Sequence, residues 1–242
     1  MKIFSISDPG SVRSQNQDNL FASARSVGKL PNLLLVADGM GGERAGKYAS
    51  QAAVRIITDD LMRSDENEPV KAIKCAIEDA NARIFREGES DPDKKGMGTT
   101  AVCSVICGKH LITANVGDSR LYVSSYDGIR QITRDHSFVD ELLRSGKVTE
   151  KEAKNHPKKH YITRAVGAEE KIDVDFFDFE LKKGDLVLLC SDGLTNMVED
   201  DKIQEILREN GSVEEKVVKL KDCAVSNGGE DNITIIIADP EF

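Results

Sequence analysis

Two apolar runs in the chain each end in Asp-Gly: Leu33-Leu34-Leu35-Val36-Ala37-Asp38-Gly39 and Leu186-Val187-Leu188-Leu189-Cys190-Ser191-Asp192-Gly193. A short unbroken apolar run that stops this way reads as a buried strand carrying a carboxylate to the sheet rim, where glycine lets the backbone turn. A third carboxylate comes from the other direction, because Asp231-Asn232 opens the run Ile233-Thr234-Ile235-Ile236-Ile237. In an antiparallel sheet the start of one strand lies beside the end of its neighbour, so Asp38, Asp192 and Asp231 are expected at one rim. Like charges ~4 Å apart repel by about 4 kcal/mol at an effective dielectric of ~20. Three such carboxylates must protonate or bind a cation, and an oxygen-only donor set favours Mg²⁺ or Mn²⁺ over zinc. Taken singly, each Asp-Gly reads as an ordinary turn.

Other strings extend the pattern. Arg13 and Asp18 lie five residues apart just before a strand, and Val116-Gly117-Asp118-Ser119-Arg120 puts another Asp at a hairpin turn. An arginine beside a metal cluster suggests bidentate phosphate binding. Arg13 and Arg120 can equally be ion-pair partners, and Asp18 and Asp118 turn or cap residues.

The elements that must position these residues follow from periodicity. Short strands are expected at 3–7 and 20–24, then the buried run 33–37. Helical spacing takes over at Ala45, Ala49, Ala52, Ala53, Ile56, Ile57 and Leu61, and again after Pro69 at Val70, Ile73, Ile77, Ala80 and Ile84. Residues 99–133 read as antiparallel hairpins with turns at Gly108-Lys109, Gly117-Asp118 and Asp127-Gly128. Residues 137–160 break the rhythm and are expected to form an exposed inserted flap, weakly helical at 138–145 and 150–155. Strands return at 172–179 and 186–190, helices at 200–208 and 213–226, and a strand at 233–238. Strand runs followed by paired helices indicate an α+β domain. The acidic stretch Asp173–Glu180 lacks the loop glycine and terminal Glu spacing of an EF-hand and reads as a charged edge strand.

A length of 242 residues suits one large domain over 1–242. The net charge of −9 argues against nucleic acid as a partner. The five cysteines lack zinc-ligand spacing and suit a reducing, cytoplasmic setting. The start has no apolar signal stretch, and no run approaches the ~18 apolar residues of a membrane span.

Read in order, the motifs resemble the metal-dependent Ser/Thr phosphatases of the protein phosphatase 2C family, especially the compact bacterial members. They are Arg13-x-x-Asn16-x-Asp18, Asp38-Gly39-Met40-Gly41-Gly42, Gly98-Thr99-Thr100-Ala101, Gly117-Asp118-Ser119-Arg120, Thr163-Arg164-Ala165-Val166-Gly167, Ser191-Asp192-Gly193 and Asp231-Asn232. The resemblance implies a four-layer α-β-β-α sandwich, two antiparallel sheets flanked by helix pairs. It implies hydrolysis of phosphoserine and phosphothreonine in proteins by direct attack of a metal-activated water at a binuclear Mn²⁺ or Mg²⁺ centre. Asp38 would bridge the two ions, Gly39 would offer its carbonyl to one, Asp192 and Asp231 would hold the other, and Asp18 would act through bound waters. Arg13 matches the phosphate-binding arginine. Asp118, with Asp192, matches a weaker third site. The family's usual setting is signal transduction in which the enzyme opposes a Ser/Thr kinase.

One departure stands out. Many relatives outside bacteria have His after Asp-Gly, whereas this chain has Met40, whose thioether donates no proton. Leaving-group protonation would fall to bound water or to one of His110, His136, His156 and His160. Among these His136 adjoins a family-like motif, and a structural role suits it better. Thr99, Thr100, Arg164 and Gly167 read as support. A catalytically dead relative would have lost carboxylates that are all present here, and a two-metal nuclease would need a basic surface.

Overall fold

The protein is described by a computed structural model covering residues 1–154 and 156–241. In chain order its elements are β1 (Lys2–Asp8), β2 (Asp18–Ser23), β3 (Leu33–Met40), α1 (Glu43–Arg63), α2 (Pro69–Ser90), β4 (Gly98–Thr99), β5 (Ala101–Cys107), β6 (His110–Val116), β7 (Arg120–Ser125) and β8 (Gly128–Gln131). There follow α3 (Phe138–Arg144), α4 (Glu150–Lys154), β9 (Asp175–Glu180), β10 (Leu186–Cys190), α5 (Asp192–Thr195), α6 (Asp200–Arg208), α7 (Val213–Ser226) and β11 (Ile233–Asp239). Asn155, the last residue of the expected 150–155 helix, lies outside the described residues.

One sheet has the order β1-β11-β10-β7-β8, the other β2-β3-β5-β6-β9 with β4 paired to β3, and every pairing is antiparallel. The unbroken apolar runs are explained by burial on both faces. Along β3, Leu33, Leu35 and Ala37 pack toward α1 and α2, while Leu34 and Val36 join the core between the sheets. Across the sandwich, Val187 and Leu189 of β10 meet that central core, and Leu188 and Cys190 face α6 and α7. Four layers result, helix pair on sheet on sheet on helix pair. Truncating a central residue such as Leu34 to Ala would cost about 2–5 kcal/mol.

Local signals fix the helix starts. Pro69 occupies the first turn of α2, where no amide hydrogen is needed. At α7 a capping box forms: Ser212 Oγ accepts from Glu215 N–H, and a Glu215 carboxylate oxygen accepts from Ser212 N–H at 2.7 Å.

Two details differ from the sequence expectation. Neither Asp-Gly glycine serves a turn. β3 runs on to Met40, and a Cβ on Gly39 would lie 2.1 Å from the Gly46 carbonyl oxygen; on Gly193, which opens into α5, it would lie 2.0 Å from the Asn232 carbonyl oxygen. Both positions need glycine because backbone approaches backbone there. The second difference is β9, which begins at Asp175 rather than 172. It is an edge strand, with Asp178 and Glu180 exposed.

Segment 137–160 leaves β8's sheet and returns to itself. Ser137 bridges Ile162, Phe138 N–H donates to Tyr161 carbonyl at 2.8 Å, and Ser137 Oγ caps α3.

Candidate metal centre

Both sheets contribute carboxylates to one end of the sandwich. Asp18 on β2 is the direct cross-strand partner of Asp38 on β3. From the other sheet, Asp192 follows β10 and Asp231 precedes β11, and these ends are adjacent because Ser191 N–H donates to Thr234 carbonyl at 3.0 Å. Asp118 joins from the β6–β7 hairpin.

The backbone is clamped where these side chains emerge. Asp38 N–H donates to Thr100 Oγ1 at 2.9 Å, and its carbonyl accepts from Thr99 Oγ1 and Thr100 N–H, both at 2.8 Å. Ser191 Oγ donates to Asp18 Oδ2 at 2.7 Å and thereby ties the two sheets together under the cluster. Asn232 Oδ1 accepts from Gln17 N–H at 2.8 Å, while its Nδ2 donates to the carbonyls of Pro9 and Gln15 at 3.0 Å. Asn196 Nδ2 donates to Asp192 Oδ2 at 2.9 Å. The roles of Ser191, Asn196 and Asn232 were not assigned from sequence, where only the Ser191-Asp192 and Asp231-Asn232 strings gave a signal.

Electrostatics show what the cluster lacks. Burial, followed by the charges of Asp18, Asp192, Asp118 and Asp231, holds Asp38 well above the ordinary carboxylate range. Burial is the largest cause at Asp18 too, which is pushed up to about 7 although Ser191 and Thr234 donate to it. Asp118 is raised by burial and then by Asp192. Asp192 is raised by burial and then by the charge of Asp231. Two buried oxygens, Asp18 Oδ1 and Asp118 Oδ1, have no hydrogen-bond partner. Leaving such atoms unpaired costs about 1–3 kcal/mol each, more when charged. Among the described residues no three His, Cys, Asp or Glu side chains close on one point as a finished coordination site, yet the oxygen donors, the orphaned atoms and the mutual repulsion all fit divalent cations.

The surrounding residues sort by geometry. Arg13 sits at the rim, its side chain 52% exposed, with Nη2 2.9 Å from Asp231 Oδ2. Arg120 turns away from the cluster: its guanidinium binds both Asp135 oxygens at 2.7–3.0 Å and the Tyr122 hydroxyl at 2.9 Å. His136 is buried as a brace. Its Nδ1 accepts from Gly117 N–H at 3.0 Å, and Nε2 lies 3.2 Å from Asp175, which Arg164 also holds at 2.8 Å. His110 pairs with Asp178 on the edge strand and His156 packs on Phe138. His160 lines a cleft of about 770 Å³ that opens off Asp118 and Asp192.

Residues 5–142 match the family model for protein phosphatase 2C. Over 238 residues the chain is 42% identical to the Ser/Thr phosphatase stp of Listeria innocua, covering 96% of this chain and 93% of that protein. The structure of the Ser/Thr phosphatase Stp1 from Staphylococcus aureus superposes with a TM-score of 0.93 at 34% identity, covering 100% of this chain and 95% of that one. The catalytic domain of the Ser/Thr protein phosphatase PstP in complex with two manganese ions gives 0.86 at 34% identity, with 98% and 97% covered. Likeness that runs the length of the chain in both sequence and fold makes it a member of the protein phosphatase 2C family, of the bacterial type.

Proposed function

We propose that this chain hydrolyses phosphoserine and phosphothreonine esters in proteins, with the carboxylate cluster as its metal centre. The observation that carries this reading is the gathering of carboxylates from both sheets at one rim, tied by Ser191 Oγ donating to Asp18 Oδ2 at 2.7 Å, beside the unpaired oxygens of Asp18 and Asp118. Asp38 would lie between two Mn²⁺ or Mg²⁺ ions, with the Gly39 carbonyl toward one and Asp192 and Asp231 toward the other. Asp18, held by Ser191, would position bound water. Asp118 with Asp192 would hold a weaker third ion. When bound, such cations make water more acidic and offset charge on the transferring phosphoryl group.

The protein's own part is placement. Arg13 reaches over the cluster from the rim and binds phosphate oxygens as a permanently charged fork that transfers no proton. Ser191 and Thr100 hold Asp18 and Asp38 against their mutual repulsion. Met40 follows Asp38-Gly39 and supplies no proton. No side chain has to become phosphorylated.

Segment 137–160 acts as a flap beside the outer carboxylates, and the enzyme opposes a Ser/Thr kinase. The five cysteines, all unpaired, support work in the reducing cytoplasm. Release of inorganic phosphate from phosphoserine and phosphothreonine peptides, measured with and without Mn²⁺, tests the reading. Metal-dependent release supports it, and no release with either Mn²⁺ or Mg²⁺ overturns it.

A further inference from the structure

The cleft that opens off the cluster has segment 137–160 on one side and the start of α5 and α6 on the other. Its lining is strongly acidic. Asp118 and Asp192 form the end next to the cluster, Asp140 and Glu150 come from segment 137–160, and Asp200 and Asp201 come from α6. The basic side chains among the described lining residues are Arg120, Lys159 and His160. Arg120 is already committed, since it holds both oxygens of Asp135.

Part of this charge has a local explanation, because Asp140, Glu150, Asp200 and Asp201 lie in the first turns of α3, α4 and α6 and complement the helix dipoles. Two carboxylate oxygens of the lining stay unpaired nonetheless. Asp118, 8% exposed, leaves Oδ1 without a partner, and Asp140 on the facing wall likewise leaves Oδ2 without a hydrogen bond, its nearest cation being Arg144 at 3.9 Å. Asp140 belongs to no candidate ligand set, so its orphaned oxygen is independent of the metal centre. Between the carboxylates the wall carries the half-buried apolar side chains Val139 and Leu143. An aliphatic stem ending in a charge matches such a wall, as lysine and arginine side chains do. A bare divalent ion would make no use of the apolar part. A volume of about 770 Å³ lies in the range that accepts a peptide-sized group.

We infer that this cleft binds Arg or Lys side chains flanking the phosphorylated residue, so that the enzyme selects phosphoprotein sites with basic neighbours. The inference rests on the phosphatase reading: a phosphate placed on the cluster under Arg13 leaves one flank of an extended substrate at the mouth of the cleft. The negative lining would also steer cationic segments toward the site.

The test uses the full chain loaded with Mn²⁺ and phosphothreonine peptides that differ only in two flanking residues, Arg, Ala or Glu, with an aryl phosphate as reference. The expected order of kcat/KM is Arg above Ala above Glu. Each step should be about twofold to fivefold and carried by KM, the size of a partly exposed charge pair. In a Glu150→Gln/Asp201→Asn double variant, both positions being exposed, the ratios should shrink toward unity while aryl phosphate turnover stays at the wild-type value. Equal rates for the three peptides, or unchanged ratios in the variant, would overturn the inference. So would a variant that loses a metal-binding step by calorimetry and keeps its peptide preference, which would make the cleft a cation site. Failure to hydrolyse any substrate with Mn²⁺ would sink the phosphatase reading instead. Fluorescence anisotropy of the same peptides then decides the cleft: tighter binding of the Arg peptide supports it, and equal binding rejects it.

Discussion

Arg13 Nη2 and Asp231 Oδ2 are 2.9 Å apart although 218 residues separate them in sequence. The pair joins the expected phosphate-binding side chain to an expected metal ligand. With the Arg13 and Asp231 side chains 52% and 37% exposed, its net contribution to stability is small. Arg13→Ala is therefore expected to move Tm by less than roughly 4 °C while raising KM for phosphopeptides about tenfold or more. Unchanged KM and kcat would remove Arg13 from phosphate binding.

Asp118 touches the cluster from a hairpin and faces the cleft, so an ion held there would have few protein ligands. Asp118→Asn should abolish the weaker step of a calorimetric Mn²⁺ titration and keep the tighter ones. Loss of a tight step would place Asp118 in the inner pair instead.

The cluster's raised carboxyl groups dictate how stability responds to pH. Without cations, the folded state retains protons that the unfolded chain has released between pH ~4 and the folded value, about 7 for Asp18. Stability of the metal-free protein from these groups therefore falls as pH rises through that window. Cations replace the protons, so the gain in Tm on adding Mn²⁺ should be larger at pH 8 than at pH 5, reaching roughly 5–10 °C at a hundred times Kd. Thermal unfolding at the two pH values, with and without Mn²⁺, checks this. An equal gain at both would contradict it.

His136 gives a second pH signature. Burial, the largest cause, lowers its pKa despite the Asp175 bond, and Nδ1 must stay unprotonated to accept from Gly117 N–H. Stability from this group is lost as pH falls from the unfolded His value, ~6.5, through the folded one. His136→Ala would leave the Gly117 amide unpaired at a cost of about 1–3 kcal/mol, and would remove that acid-side loss. Urea unfolding at pH 5.5 and 7.5 measures both.

Some of this was legible in the sequence because it is local. The runs 33–37 and 186–190 announce buried strands, and Pro69 marks a helix start. Other parts depend on contacts distant in the chain. Nothing beside Gly39 or Gly193 shows that Gly46 or Asn232 backbone presses on them, so the glycines read as turns. Ser191 looks like a linker until Asp18, 173 residues away, accepts its hydroxyl. The alternation at 172–174 suggests strand, but Arg164 Nη1 takes the Asp173 carbonyl at 3.1 Å, and β9 pairing begins only at Asp175. Arg120 reads as a phosphate ligand or an ion-pair partner, and its bidentate hold on Asp135 decides for the latter.

The most direct test of the metal centre is phosphate release from a phosphothreonine peptide by exhaustively chelated protein titrated back with Mn²⁺, for the wild type beside Asp38→Asn. Chelation should abolish wild-type turnover and Mn²⁺ restore it, while the Asn variant, whose neutral amide holds cations poorly, stays lower by orders of magnitude even at saturating Mn²⁺. Full activity after chelation, or wild-type turnover by Asp38→Asn, would contradict the metal centre described here.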